Sequence, residues 1–237
     1  MNKTKIQWTE TTWNPITGCS KYSEGCKHCY AERMAKRLNA MGNPRYENGF
    51  DVTVHEDLFD QPLHIRKPKM VFVCSMSDLF HEDVPDDAIV SIFETMNAAH
   101  WHTFQVLTKR PERMLEMDTR GLLTWTDNIW MGVTVENSRY RGRIGTLRKC
   151  HAHTKFISFE PLLGGVGNAS IRGIDWVIVG GESGPGSRSM NPEWVYSIRE
   201  KCEEEGVPFF FKQWGGFNKK KTGRELDGRT YDEWPSR

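Results

Sequence analysis

Long hydrophobic runs are missing from this 237-residue sequence, and no segment approaches the roughly 20 apolar residues of a membrane-spanning helix. Its start, "MNKTKIQWTE", also lacks the apolar stretch of a secretion signal. A soluble, cytoplasmic protein without a membrane partner is therefore expected. An excess of one charge is missing too: 32 Lys and Arg stand against 31 Asp and Glu, a formal net charge of +1. This excludes a polyelectrolyte held to nucleic acid by its total charge, so any such contact must come from a local patch. No low-complexity linker and no close repeat divides the chain, which predicts a single domain over residues 1–237. Two phosphate-binding signatures are absent as well: the G-x-x-x-x-G-K-[ST] loop, and a G-x-G-x-x-G after an early strand.

What is present is a rhythm. Short apolar, β-branched or aromatic runs recur at 70–74 (MVFVC), 103–107 (TFQVL), 129–135 (IWMGVTV), 155–159 (KFISF), 175–179 (DWVIV) and 208–211 (PFFF). Continuous runs of this kind fit strands buried on both faces, as in a parallel sheet. An opening strand is expected at 5–10 (KIQWTE). Helical patterns fill most gaps. Residues 86–100 place Ile89, Ile92, Phe93 and Met96 on one stripe, and 191–206 open on Asn-Pro and close on Gly206. The stretch CYAERMAKRLNAMG puts Tyr30, Met34, Leu38 and Met41 on one face. Repeated strand–helix units predict an α/β protein, a partial or complete (β/α) TIM-like barrel, with a doubly wound open sheet as the alternative. Residues 43–69 read as a loop or small β insertion, and the Gly-rich 160–174 are too short for a crossover helix. Nine Trp and ten Met read mainly as core and pocket lining.

The residues directly after the apolar runs share one rim in a barrel, the C-terminal rim where such folds place their chemistry. They are Ser75, Ser77 and Asp78; Thr108, Lys109 and Arg110; Glu136 and Asn137; Glu160; Glu182 and Ser183; and Lys212, Gln213 and Trp214.

Three of the six cysteines fall in "TGCSKYSEGCKHCYAE", with gaps of six and two residues: Cys19, Cys26 and Cys29. In a reducing compartment, clustered thiols point to metal or redox chemistry rather than disulfides. Four cysteines, or two with two histidines, would close a structural zinc site. Three thiolates on a [4Fe–4S] cube instead leave one iron free for a cofactor or substrate. Zinc stays open as an alternative, its site completed by His28, Cys74, or Cys150, His151 or His153. Cys74, Cys150 and Cys202 otherwise read as buried small hydrophobes.

The loop "TWNPITGCSKYSEGCKHCYAE" resembles that of three-Cys-motif proteins encoded by phages and bacteria, divergent relatives of the radical S-adenosylmethionine (SAM) enzymes. "FEPLLG", "VIVGGESG" and "FKQWG" resemble later blocks of that family. Radical SAM enzymes at large space their cysteines by three and two, with an aromatic residue before the last. Here the first gap is six, and His28 precedes Cys29. The resemblance implies a partial barrel of the radical SAM type and a [4Fe–4S] cluster on Cys19, Cys26 and Cys29. SAM would be chelated at the fourth iron and cleaved reductively to a 5′-deoxyadenosyl radical, with electrons from a flavodoxin or ferredoxin. By the same analogy Gly180, Gly181 and Glu182 would contact the SAM amino group. Ser75, Ser77 and Asp78 would serve its amino group or ribose, and Glu136 and Asn137 its ribose hydroxyls. Lys109 and Arg110 would take its carboxylate or a substrate phosphate, and Glu160 is grouped with these cofactor contacts on the rim.

Two basic stretches stand out from the neutral total. Residues 138–149 carry Arg139, Arg141, Arg143, Arg148 and Lys149. A C-terminal basic tail at about 212–237 mixes Lys219, Lys220, Lys221 and Arg224 with Trp214 and Phe217. Basic residues among aromatics suit phosphate contact and base stacking, so a nucleic-acid base or nucleotide is the expected substrate. Two other readings remain at this stage: a zinc-stabilised nucleic-acid-binding barrel, and a barrel hydrolase using Glu160 and Glu182 as acid and base.

Overall fold

The computed structural model describes residues 1–235, with the side chains of residues 219 and 220 set aside. Each apolar run forms a strand. They are β5 (Met70–Val73), β6 (Thr103–Thr108), β7 (Ile129–Thr134), β8 (Thr154–Phe159), β9 (Trp176–Gly180) and β10 (Phe209–Gln213). Ahead of them lie β1 (Asn2–Lys3), β2 (Thr11–Trp13), β3 (Ile16–Thr17) and β4 (Thr53–Val54). One sheet runs in the order β1-β2-β5-β6-β7-β8-β9-β10, and β3 and β4 form a separate antiparallel pair. All neighbours in the large sheet are parallel except β1 with β2. Helices α2 (Asp86–Ala98), α3 (Pro111–Thr119), α4 (Gly142–Arg148) and α5 (Pro192–Glu205) cross between successive parallel strands. No helix joins β8 to β9, as the short Gly-rich 160–174 require.

The strands are buried on both faces, and the alternation of side chains sorts the core into two layers. Val73, Val106, Val133, Ile157, Val179 and Phe211 belong to the layer shared with the helices. Trp130, Phe156, Trp176, Ile178 and Phe210 form an aromatic layer on the opposite face, and Trp8 joins them. Trp8 precedes the second strand of the sheet order, yet its indole donates to Glu160 after β8 and lies 5.8 Å beneath Lys212 Nζ of β10. The sheet therefore curls until its two ends meet the same side chains. It does not close, because β1 and β10 stand at opposite ends of the order. The partial-barrel form of the expectation is the one observed.

Two local expectations are corrected. KIQWTE is not a strand. The segment turns beneath the sheet, where Trp8 fills the aromatic layer and its carbonyl accepts from the buried Gln105 amide at 2.9 Å, so pairing with β5 begins only at Thr11. The helix after the cysteines, α1 (Tyr30–Ala40), does not bury its Tyr30–Met34–Met41 stripe: those three are exposed, and Ala31 and Ala35 are buried against Met76. Small side chains let this helix approach Tyr46 and Phe50 of the 43–69 insertion closely.

Among the described residues, no helix is long and apolar enough to cross a membrane. Residues 212–235 fold back on the sheet: Leu226 and Tyr231 are buried, Phe210 bridges to Asp232, and Trp234 stacks on Trp176. Ser236 and Arg237, the end of the expected basic tail, lie outside the described residues.

Candidate functional site

The cysteine loop leaves β3 at Gly18 and ends at Cys29, which caps α1. Along its length the strand tips grip it. Beyond β5, Ser77 Oγ donates to the Gly18 carbonyl at 2.5 Å, and Gly18 N–H donates to the Met76 carbonyl at 3.0 Å. Ser75 Oγ donates to Asn14 Oδ1 at 3.1 Å, and its carbonyl accepts from Tyr30. Asp78 is buried and takes Thr108 Oγ1 and the N–H groups of Lys109 and Phe80 at 2.6, 2.9 and 3.1 Å. Beyond β6, Arg110 donates to Ser20 Oγ at 2.9 Å and lies against Cys19.

The tip of β7 holds the six-residue gap. Glu136, 0% exposed, accepts from Ser23 Oγ and from Arg143 Nη1 at 2.9 Å, with Lys109 Nζ 4.0 Å away. Gly25 is what allows this approach, since a Cβ there would sit 2.6 Å from Glu136 Oε1. Asn137 donates to Glu24. From β9, Glu182 accepts three bonds from Arg188 and lies 3.2 Å from His28 Nδ1, while Arg188 also reaches the Glu24 carbonyl. Burial alone would raise the Glu182 carboxyl; Arg188 and His28 overcome it and hold it at about 2. Gly181 backs onto the Trp214 carbonyl with no room for a Cβ, and Gly180 lies over the Glu160 carboxylate. Glu160 itself bonds Lys212 Nζ at 2.9 Å, together with Ser158 and Trp8, on the concave face.

The rim residues singled out in the sequence thus gather at one end of the sheet. Ser77, Glu136, Asn137 and Glu182 touch the loop directly. Asp78 bears on it through Arg110, Ser75 through Tyr30, and Lys109 through Glu136. Glu160 and Gly180 form a neighbouring group with Lys212. Sequence reading missed the roles of Arg143, taken there for a nucleic-acid contact, and of Ser23, His28 and Arg188 as clamps. Nothing in their spacing signals these pairings: Arg143 and Arg188 return to Glu136 and Glu182 from further along the same connections, whereas Ser23 and His28 reach those carboxylates from the cysteine loop.

Cys19, Cys26 and Cys29 are free thiols lining one pocket of about 120 Å³ with Ser20, Lys21, Glu32 and Phe50. Burial and the Asp78 charge push Cys19 up to about 11, with Arg110 pulling the other way. Burial raises Cys26 too, but Lys109 and the Tyr22 and Ser23 amides outweigh it and lower the thiol. No three His, Cys, Asp or Glu groups among the described residues are gathered closely enough to hold a single ion. A four-iron cube spreads its thiolates further apart than one ion does. Three thiols around a shared pocket, with a cation beside two of them, fit its donor set. Cys74, Cys150 and Cys202 are buried and all raised by burial, Cys202 to about 12. His151 faces Asp118 at 3.0 Å on the surface.

Of the basic stretches, Arg143 is committed to Glu136, and Arg148 to the carbonyls of Ser170 and Arg172. Arg139, Arg141 and Lys149 stay exposed, as does Phe217.

Fold and site together define a partial (β/α) barrel carrying a three-thiol loop on its C-terminal rim. The chain belongs to a family described as a protein of unknown function (DUF5131), whose model matches residues 3–235. No curated protein matches it. Solved structures of spore photoproduct lyase share the fold. A cysteine-to-serine mutant aligns with TM-score 0.52 and 16% identity over 87% of this chain and 64% of that one. A tyrosine-to-phenylalanine mutant gives 0.50 and 13% over 87% and 66%. Another lyase structure, with bound AdoMet and dinucleoside spore photoproduct, gives 0.49 and 14% over 83% and 62%. The chain spans less than two thirds of these proteins, and at such identities the likeness is one of fold.

Proposed function

We propose that this protein is a radical SAM enzyme whose [4Fe–4S] cluster is held by Cys19, Cys26 and Cys29. The observation that carries the reading is three free thiols lining one pocket on the C-terminal rim of a partial barrel. The likeness of the loop to three-Cys-motif proteins belongs with this proposal. When bound, the cluster with SAM supplies one-electron cleavage of the sulfonium, and with it a radical able to take hydrogen from a substrate. The chain's own residues provide the cradle. Ser77, Glu136, Asn137 and Glu182 fix the loop, Lys109 and Arg110 favour thiolates, and the aromatic layer beneath the rim excludes water. Asp78, Glu136 and Glu182 are so fully bonded within the protein that their part is support of the loop. Glu160 and Lys212, partly exposed on the concave face, are the polar pair proposed to meet a cofactor or substrate. A nucleic-acid base or nucleotide is the proposed substrate, supported by exposed Arg139, Arg141 and Phe217.

Anaerobic reconstitution tests this. About four iron and four sulfide per chain are expected, with visible charge-transfer absorption, and 5′-deoxyadenosine after reduction in the presence of SAM. Replacing all three cysteines by alanine removes every one of these signals. Stoichiometric zinc with no visible absorption would overturn the proposal.

A further inference from the structure

Arg110 lies two residues beyond β6, at the N-cap position of α3, and only 5% of it is exposed. Its guanidinium lies where the first cysteine is held: Nη1 is 3.8 Å from Cys19 Sγ, Nη2 donates to Ser20 Oγ, and the group sits 4.7 Å over the Tyr22 ring. The buried Nε has no hydrogen-bond partner among the described residues. Two carboxylates are near. Asp78 stands 3.7 Å from Nη1 but takes its shorter bonds from Thr108, Lys109 and Phe80, and Glu82, 3.8 Å from Nε, is mostly exposed. Lys109, the neighbouring cation, is turned to Glu136 and is more exposed, and Lys21, which lines the pocket, is mostly exposed and pairs with Glu32 at 3.6 Å.

We infer that Arg110 is a positioning residue that raises the reduction potential of the cluster through the Cys19 sulfur; the inference rests on the function proposed above. Three thiolates leave an iron–sulfur cube negatively charged. One electron, taken from a one-electron reductant that is itself oxidised by one, adds a further negative charge, and no proton moves. A cation buried beside a ligand sulfur favours the more negative form, because little solvent intervenes to screen it. The N–H directed at the sulfur acts in the same direction.

The test is an EPR-monitored redox titration, without SAM, of the anaerobically reconstituted wild type, R110M, R110K and D78N. At a fixed potential, R110M is expected to show at least a tenfold lower ratio of reduced to oxidised cluster. That corresponds to a midpoint about 59 mV more negative for one electron. R110K keeps most of the wild-type value, and D78N, which removes the counter-charge, shifts the midpoint the opposite way. High salt leaves the R110M shift in place. A fully loaded R110M with an unchanged midpoint overturns the inference. Should R110M fail to load, a D78N midpoint equal to that of the wild type overturns it instead. A wild type that takes up no cluster sinks the proposed function, and the inference with it, before any variant is compared.

Discussion

Glu182 is held by two residues that the chain separates widely. Arg188 follows six positions later in the β9 loop, and His28 sits between two of the clustered cysteines, yet both converge on one buried carboxylate. Its folded value of about 2 lies below the ordinary 4.5, so the stabilisation is complete above the ordinary value and is lost as pH falls from about 4.5 toward 2. E182Q is expected to lower the stability of the metal-free protein at neutral pH by about 2 kcal/mol, the scale of hydrogen bonds to a charged group. Urea unfolding across pH checks it: the curves of wild type and E182Q should converge as pH drops through that window. Parallel curves would show that the carboxylate is not so engaged. The importance of Glu182 was legible from its Gly-Gly-Glu setting. Its role as a clamp was not, because the partner loop lies more than 150 residues away.

Among the elements, α1 departs most from its sequence pattern. Tyr30, Met34, Leu38 and Met41 make an apolar stripe that ordinarily faces a core. The helix instead packs through Ala31 and Ala35 onto Met76 and the insertion, leaving Met34 38% and Met41 69% exposed. The period is that of a helix, but its buried face is set by what the cysteine loop and the 43–69 insertion leave free. A35L is expected to cost about 1–3 kcal/mol through overpacking at a position with 0% exposure. M34K should change stability by less than about 0.5 kcal/mol. Thermal or urea denaturation of the two variants decides this, and the reverse order of sensitivity would place the stripe in the core.

At the scale of the whole molecule, one aromatic layer ties the first residues to the last. Trp176 meets Trp130, Phe156 and Phe210 edge-on or tilted and stacks on Trp234 at 4.7 Å, and its indole donates to the Glu233 carbonyl. Trp8 enters the same layer from ahead of β2. This layer is the floor under the rim, and it holds an unclosed sheet in its curl. W176A should therefore cost about 3–5 kcal/mol. The loss would show as a lower denaturation midpoint and as a weaker hold on residues 226–234, read by faster amide exchange there. Unchanged exchange in that segment would mean that the C-terminal strap is held by something else.

The α/β class, the six apolar runs that become parallel strands, the insertion at 43–69 and the three clustered thiols were determined by sequence alone, whereas the choice of a curled partial barrel over an open doubly wound sheet came from the structure. The former follow from local features: continuous β-branched and aromatic runs, capped helical periods, and cysteines close along the chain. The tertiary structure decided which strand-tip residues are spent on holding the cysteine loop and which stay free, and which face α1 buries. It also turned a would-be opening strand into a plug bearing Trp8. Those outcomes depend on partners distant in the chain, such as Glu136 with Ser23 and Arg110 with Cys19. Charge and hydrogen-bond pairing between distant segments leaves no period in a sequence; only the curl of the sheet brings them within reach.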